Sequence, residues 1–172
     1  MKKNCNEPMF KKLGCAAAVA LCLAAGAPVQ AADTASHSVN FTVASINEIE
    51  IDAGVLNLTV DSATAGSQPT PANAASSYAI TTNAATDGKK ITAALDTPMP
   101  TGITLAVDMA APSGSSASAG SVELGTTAVD VVNGIEGVAA SGVAINYQLS
   151  ATVAAAPVTG TKTVTYTIAD EA

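Results

Sequence analysis

Apolar and polar residues alternate one for one along much of the chain, which puts every second side chain on one face of a strand. Val39, Phe41 and Val43 alternate with Asn40 and Thr42, and Ile49 and Ile51 alternate with Glu48, Glu50 and Asp52. After Ala53-Gly54, Leu56, Leu58 and Val60 alternate with Asn57 and Thr59. Each stretch predicts a half-buried strand. From Asp61 to Ser77 the period disappears into Ser, Thr, Ala, Gly and Pro, including Pro69 and Pro71, which predicts a long exposed loop. Tyr78, Ile80 and Thr82 resume the alternation. Asp87-Gly88 gives a turn signal, and Ile91, Ala93 and Leu95 form the return strand.

Ile103, Leu105, Val107 and Met109 make the cleanest mid-chain strand, followed by a small-residue loop from Pro112 to Gly120. Val122 to Val132 reads as one more strand, ended at Asn133-Gly134. Val143, Ile145, Tyr147, Leu149, Ala151 and Val153 share one face of the next. Val164, Tyr166 and Ile168 share one face of the last, opposite Thr163, Thr165 and Thr167. With Pro157 and Gly160 between them, these last two are expected to form an antiparallel hairpin with Tyr147 and Tyr166 on one inner face. Eight or nine short strands at this spacing predict a single antiparallel β-sandwich.

Helical periodicity is confined to the beginning of the chain. Lys2, Lys3, Lys11 and Lys12 precede an apolar run from Leu13 to Ala27, the order of a secretory signal. That run is 15 residues, whereas a helix needs about 20 to cross the hydrocarbon core. Pro28 ends it, and Val29-Gln30-Ala31 puts small residues where signal peptidase accepts them, so cleavage is expected after Ala31. Cys15 and Cys22 lack the neighbours of a lipoprotein signal, and Val19 stands where a prepilin-type signal would carry Glu. The expected organisation is a signal peptide at 1–31 and a β-sandwich domain at 32–172. The protein is then secreted, extracellular or at the cell surface, or periplasmic, with no stable membrane anchor in the mature chain.

Cleavage changes the chemistry. Cys5, Cys15 and Cys22 leave with the signal, so the mature domain is cysteine-free and has neither disulfide nor thiolate. It keeps 3 lysines against 13 acids and has no arginine, a net charge of −10 with His37 neutral. A surface so acidic repels nucleic acid and anionic lipid. His37 is the only histidine, no Gly-x-Ser-x-Gly elbow occurs, and nothing pairs a nucleophile with a base, so neither an enzyme nor a cofactor is expected. Glu48, Glu50 and Asp52 fall on one strand face about 7 Å apart. Ca²⁺ bridging two of them with loop carbonyls is one reading; a solvated face that discourages edge pairing is the other. Asn40-Phe41-Thr42 and Asn57-Leu58-Thr59 match the N-glycosylation pattern. Phe41, Tyr78, Tyr147 and Tyr166 keep phase with the aliphatic residues and read as core, which leaves no aromatic platform for a sugar.

The closing stretches, Val143-Ala144-Ile145-Asn146-Tyr147 and Thr163-Val164-Thr165-Tyr166-Thr167-Ile168, resemble the endings of secreted Ig-like surface subunits: spore-coat-U and Csu-type pilins and other matrix-fibre proteins. The resemblance covers about a fifth of the mature chain. It implies an Ig-like sandwich that assembles outside the cell by strand exchange. Those pilins usually carry a cysteine pair, absent here, and Ala169 to Ala172 are expected to trail the last strand as an acidic tail. Two functions follow as expectations. One is a non-enzymatic structural subunit of a surface fibre or matrix, self-associating by donating Val39, Phe41 and Val43 as an assembly strand. The other is a monomeric binding module for a small ligand, Ca²⁺ or a partner protein.

Overall fold

The computed structural model describes residues 33–171 apart from Ala53, Thr86, Asp87, Ser113 and Ser115. The expected signal peptide lies outside these residues, as does Asp87 of the expected turn. The chain divides into two units between Phe41 and Thr42. Of the first, residues 33–41 are exposed and carry no strand.

The second unit is all β. Its strands are β1 (Asn47–Ile51), β2 (Ala72–Thr82), β3 (Lys89–Leu95), β4 (Ile103–Met109), β5 (Ala117–Ser118), β6 (Ser121–Glu123), β7 (Val129–Ile135), β8 (Val138–Ala151) and β9 (Val164–Asp170). They form a five-stranded sheet, β1-β2-β8-β4-β6, and a four-stranded sheet, β5-β7-β3-β9, with every neighbouring pair antiparallel. The two sheets pack face to face as a β-sandwich around Tyr78, Ile80, Ile91, Leu95, Val107, Met109, Val131, Ile135 and Ile145. In β3 and β4 the buried positions are every second residue, as the alternation requires.

Three register shifts disturb that phase. In β2–β8 the register moves from Tyr78↔Val143 to Ile80↔Ala140, so Ala79 faces Ser141 and Gly142 together. Gly142 sits at φ 66°, a conformation that costs glycine nothing and other residues much. Consequently Val138 and Ile145 are both buried although their numbers differ in parity. In β7 the register against β3 slips twice, and the consecutive Val131 and Val132 are both fully buried. The strand runs through Asn133-Gly134 instead of stopping there.

The expected hairpins are not hairpins. β8 lies in the five-stranded sheet, whereas β9 pairs with β3 in the other, so the chain crosses the sandwich between them. β2 and β3 likewise belong to different sheets. Alternation fixes which face is buried but not which strand is the neighbour, and each crossover buries both strands' apolar faces against one another. Tyr147 and Tyr166 meet across the core, their hydroxyls 2.7 Å apart.

Four further boundaries differ. The stretch holding Leu56, Leu58 and Val60 joins no ladder, with Leu58 and Val60 only half-buried. The expected long loop ends early, because Ala72 to Ser77 form the first half of β2 against β8. Ala169 and Asp170 complete β9, so they are strand and not tail. Val122 to Val132 is split, since Leu124 N–H donates to Leu105 O in one sheet and Gly125 O accepts from Leu95 N–H in the other.

Candidate functional site

The most distinctive feature is a mismatch between one apolar segment and one pair of edges. Val39, Phe41 and Val43 were expected in a half-buried strand, yet residues 34–46 join neither strand nor bridge. Their side chains are 71%, 88% and 76% exposed. Three apolar side chains in strand phase and open to water are costly to leave uncovered, at about 25 cal/mol per Å² of apolar surface.

Where this stretch reaches β1, Asn83 holds it. Asn83 N–H donates to Ile46 O (3.2 Å), Ile46 N–H donates to Asn83 Oδ1 (2.8 Å), and Asn83 Nδ2 donates to Ala44 O (2.7 Å). One asparagine thereby extends the β1–β2 ladder by a side chain where backbone pairing ends. Beside it, Thr82 is buried but satisfied, donating to Asn47 Oδ1 at 2.7 Å and accepting from Ala84 N–H at 3.1 Å. Val43, Ala44, Asn83 and Lys89 line a surface depression of about 310 Å³ here.

β1 and β9 are the free edges on one long side of the sandwich, close to each other but joined by no ladder. Their backbone phase follows from the bonds at their ends. Asp96 N–H donates to Thr163 O and Glu171 N–H to Gly88 O, so odd-numbered residues of β9 face β3. The main-chain groups of Val164, Tyr166 and Ile168 therefore point off the sheet, with no partner among the described residues. By the same reasoning Asp52 N–H to Ser77 O turns Glu48 and Glu50 toward β2 and leaves Ile49 and Ile51 outward. In both edges the residues with unpaired backbone also carry the half-buried apolar side chains.

The edges differ in charge. β1 presents Glu48 and Glu50 in its exposed face, with Asp52 following, a pattern that deters pairing with an acidic chain. These three carboxylates alternate on one face as expected, but no group of three His, Cys, Asp or Glu among the described residues is arranged to hold a metal. β9 presents Thr165 and Thr167 instead, and reaches an acid only at Asp170, which is ion-paired with Lys89. Lys90 bridges to Asp130 at 3.2 Å and Lys162 donates to Thr97 Oγ1 at 2.7 Å, so each of the three lysines among the described residues already has a partner.

The buried polar chemistry is tyrosine chemistry. Tyr78 donates to Ala110 O at 2.7 Å, and burial pushes its hydroxyl up to about 12. Burial likewise raises Tyr147 and Tyr166, and for Tyr166 the bond to Tyr147 raises it further. All three are held neutral and bonded, which is structural work. His37 lies in the exposed first stretch, Asn40 and Asn57 are exposed, and no helix among the described residues is long and apolar enough to cross a membrane. A second depression, about 190 Å³, lies among Asn73, Ala106, Asp108, Asn146, Tyr147 and Gln148.

Sequence reasoning singled out Val39, Phe41 and Val43 and the last strand, but missed Asn83 and the position of β9 at a sheet edge. A lone asparagine just after an alternating stretch is a weak signal, and which strand ends a sheet is set by topology. Compared with known proteins, the chain matches no family model and no characterised protein.

Proposed function

We propose that this protein is a secreted, non-enzymatic structural subunit of a surface fibre or extracellular matrix, in which one copy's Ser38 to Val43 segment is donated as a strand to the next. The observation that carries this reading is the exposure of Val39, Phe41 and Val43 in strand phase, in a chain whose β1 and β9 edges carry unpaired backbone. Backbone hydrogen bonds supply affinity in such strand addition, and alternate side chains supply specificity. A donor at one end and an acceptor elsewhere make a head-to-tail contact that does not close, and so grows a filament. The similarity of its closing strands to Ig-like surface subunits, the signal-like beginning and the absence of paired nucleophile and base point the same way.

Size measurement of the secreted chain tests it. Large species that grow with concentration are expected; they are lost when the chain starts at Ala44, and growth of the full chain is blocked by an added Ser38 to Val43 peptide, which fills the acceptor edge but is tied to no subunit. Charge repulsion among −10 subunits should slow growth at low ionic strength. A clean monomer at every concentration and salt would overturn the reading in favour of a monomeric binding module.

A further inference from the structure

Of the sheet edges, β5 and β6 are strands of only 2 and 3 residues, which leaves β1 and β9 for a donated strand, and the geometry separates them. We infer that the acceptor is β9 of a second copy, which takes the donor antiparallel with Val39 opposite Ile168, Phe41 opposite Tyr166 and Val43 opposite Val164. This specifies the partner surface for the donation proposed above and presupposes it.

Four observations fix the choice. The outward main-chain groups of β9 belong to Val164, Tyr166 and Ile168, so direct opposition gives each of the three donor residues a doubly bonded pair. Paired residues project to the same face, which lays the exposed Val39, Phe41 and Val43 over the half-buried flanks of those three side chains. On the other face Asn40 meets Thr167 and Thr42 meets Thr165, neutral pairs suited to a sheet surface. Finally, this polarity and register place His37, just before the donated residues, opposite Asp170 and next to Glu171, so that a ring N–H can donate to a carboxylate of the acceptor. The parallel arrangement, Val39 with Val164 and Val43 with Ile168, sets His37 against Lys162 instead of an acid. At β1 the donor would pass Glu48, Glu50 and Asp52, on a strand of only 5 residues against 7 in β9.

Disulfide trapping tests the register, because residues 32–172 hold no cysteine of their own. Thr42 and Thr165 are both exposed, and in the inferred register they form a non-hydrogen-bonded pair, whose Cβ atoms lie within bridging distance. The secreted chain carrying Thr42→Cys and Thr165→Cys should give a non-reducing ladder of dimers, trimers and longer species. It should yield at least tenfold more linked material than Thr42→Cys with Glu50→Cys on β1. A ladder from the Glu50→Cys variant instead would overturn β9 as acceptor while leaving donation standing. A fast-migrating linked monomer from the Thr165→Cys variant would mean that the segment pairs within its own chain, against the inference. Large assemblies with no ladder in either variant would overturn donation at both edges, and monomers throughout would overturn the fibre reading with it.

Discussion

On one long side of the sandwich, β5 in one sheet and β6 in the other are joined by only Ala119-Gly120, and Leu124-Gly125 carries the chain back across. On the opposite side β1 and β9 lie near each other with no ladder and no chain link between them. The first side is closed covalently and by hydrogen bonds. It buries Leu124 to 4% exposure, while on the second side Ile49, Ile51, Val164, Tyr166 and Ile168 stay only half-buried. A protein of one sequence thus finishes one side of its core and leaves the other with spare backbone donors and acceptors. The difference bears on growth: the laced side offers a second copy edges of only 2 and 3 residues, the unlaced side edges of 5 and 7.

That contrast can be broken in order of expected size. Leu124→Ala on the closed side should cost about 2–5 kcal/mol, by denaturant titration, because it empties a buried site that the crossover cannot collapse. Ile49→Ala on the unlaced side, where the side chain is already half in water, should cost clearly less. Equal losses would show that the two sides are equally packed.

Alkali should loosen the unlaced side. Tyr166 of β9 and its partner Tyr147, with Tyr78, have hydroxyls raised above the ordinary value of 10, in Tyr78 to about 12. A group raised on folding contributes stability present in full below its unfolded value and lost as pH rises through its folded one. Melting temperature should therefore hold, as far as these tyrosines go, up to about pH 10 and fall between about pH 10 and 12. A flat profile through that window would contradict buried, neutral tyrosines. Tyr147→Phe removes only the 2.7 Å hydroxyl bond to Tyr166 and should cost about 1 kcal/mol. Phe41→Ser should change the stability of the isolated subunit by less than about 0.5 kcal/mol, since that ring is 88% exposed, yet abolish growth into large species.

Much of the sandwich was legible because large apolar residues alternate with polar ones in β3, β4 and β9. The first half of β2 was not legible. Ala72 to Ser77 hold only Ala, Asn and Ser and pair with β8 through backbone, which carries no side-chain signature. Leu56, Leu58 and Val60 misled in the opposite sense: the period is there but no neighbouring strand is, and alternation without a ladder is not a strand. The candidate assembly segment was visible in Val39, Phe41 and Val43. Its acceptor was not, because an edge is a property of strand order, and strand order here depends on crossings at residues 83–88 and 152–163 that the alternation does not encode.

Amide hydrogen exchange along β9 in the native secreted material tests the central claim most directly. The amides of Thr165 and Thr167 face β3 and are paired within the subunit, whereas those of Val164, Tyr166 and Ile168 face outward. If a neighbour's strand completes this edge, both sets exchange slowly in assembled material, and only the outward set becomes fast when the chain starts at Ala44. Fast exchange at Val164, Tyr166 and Ile168 beside slow exchange at Thr165 and Thr167 in the assembled material would contradict it.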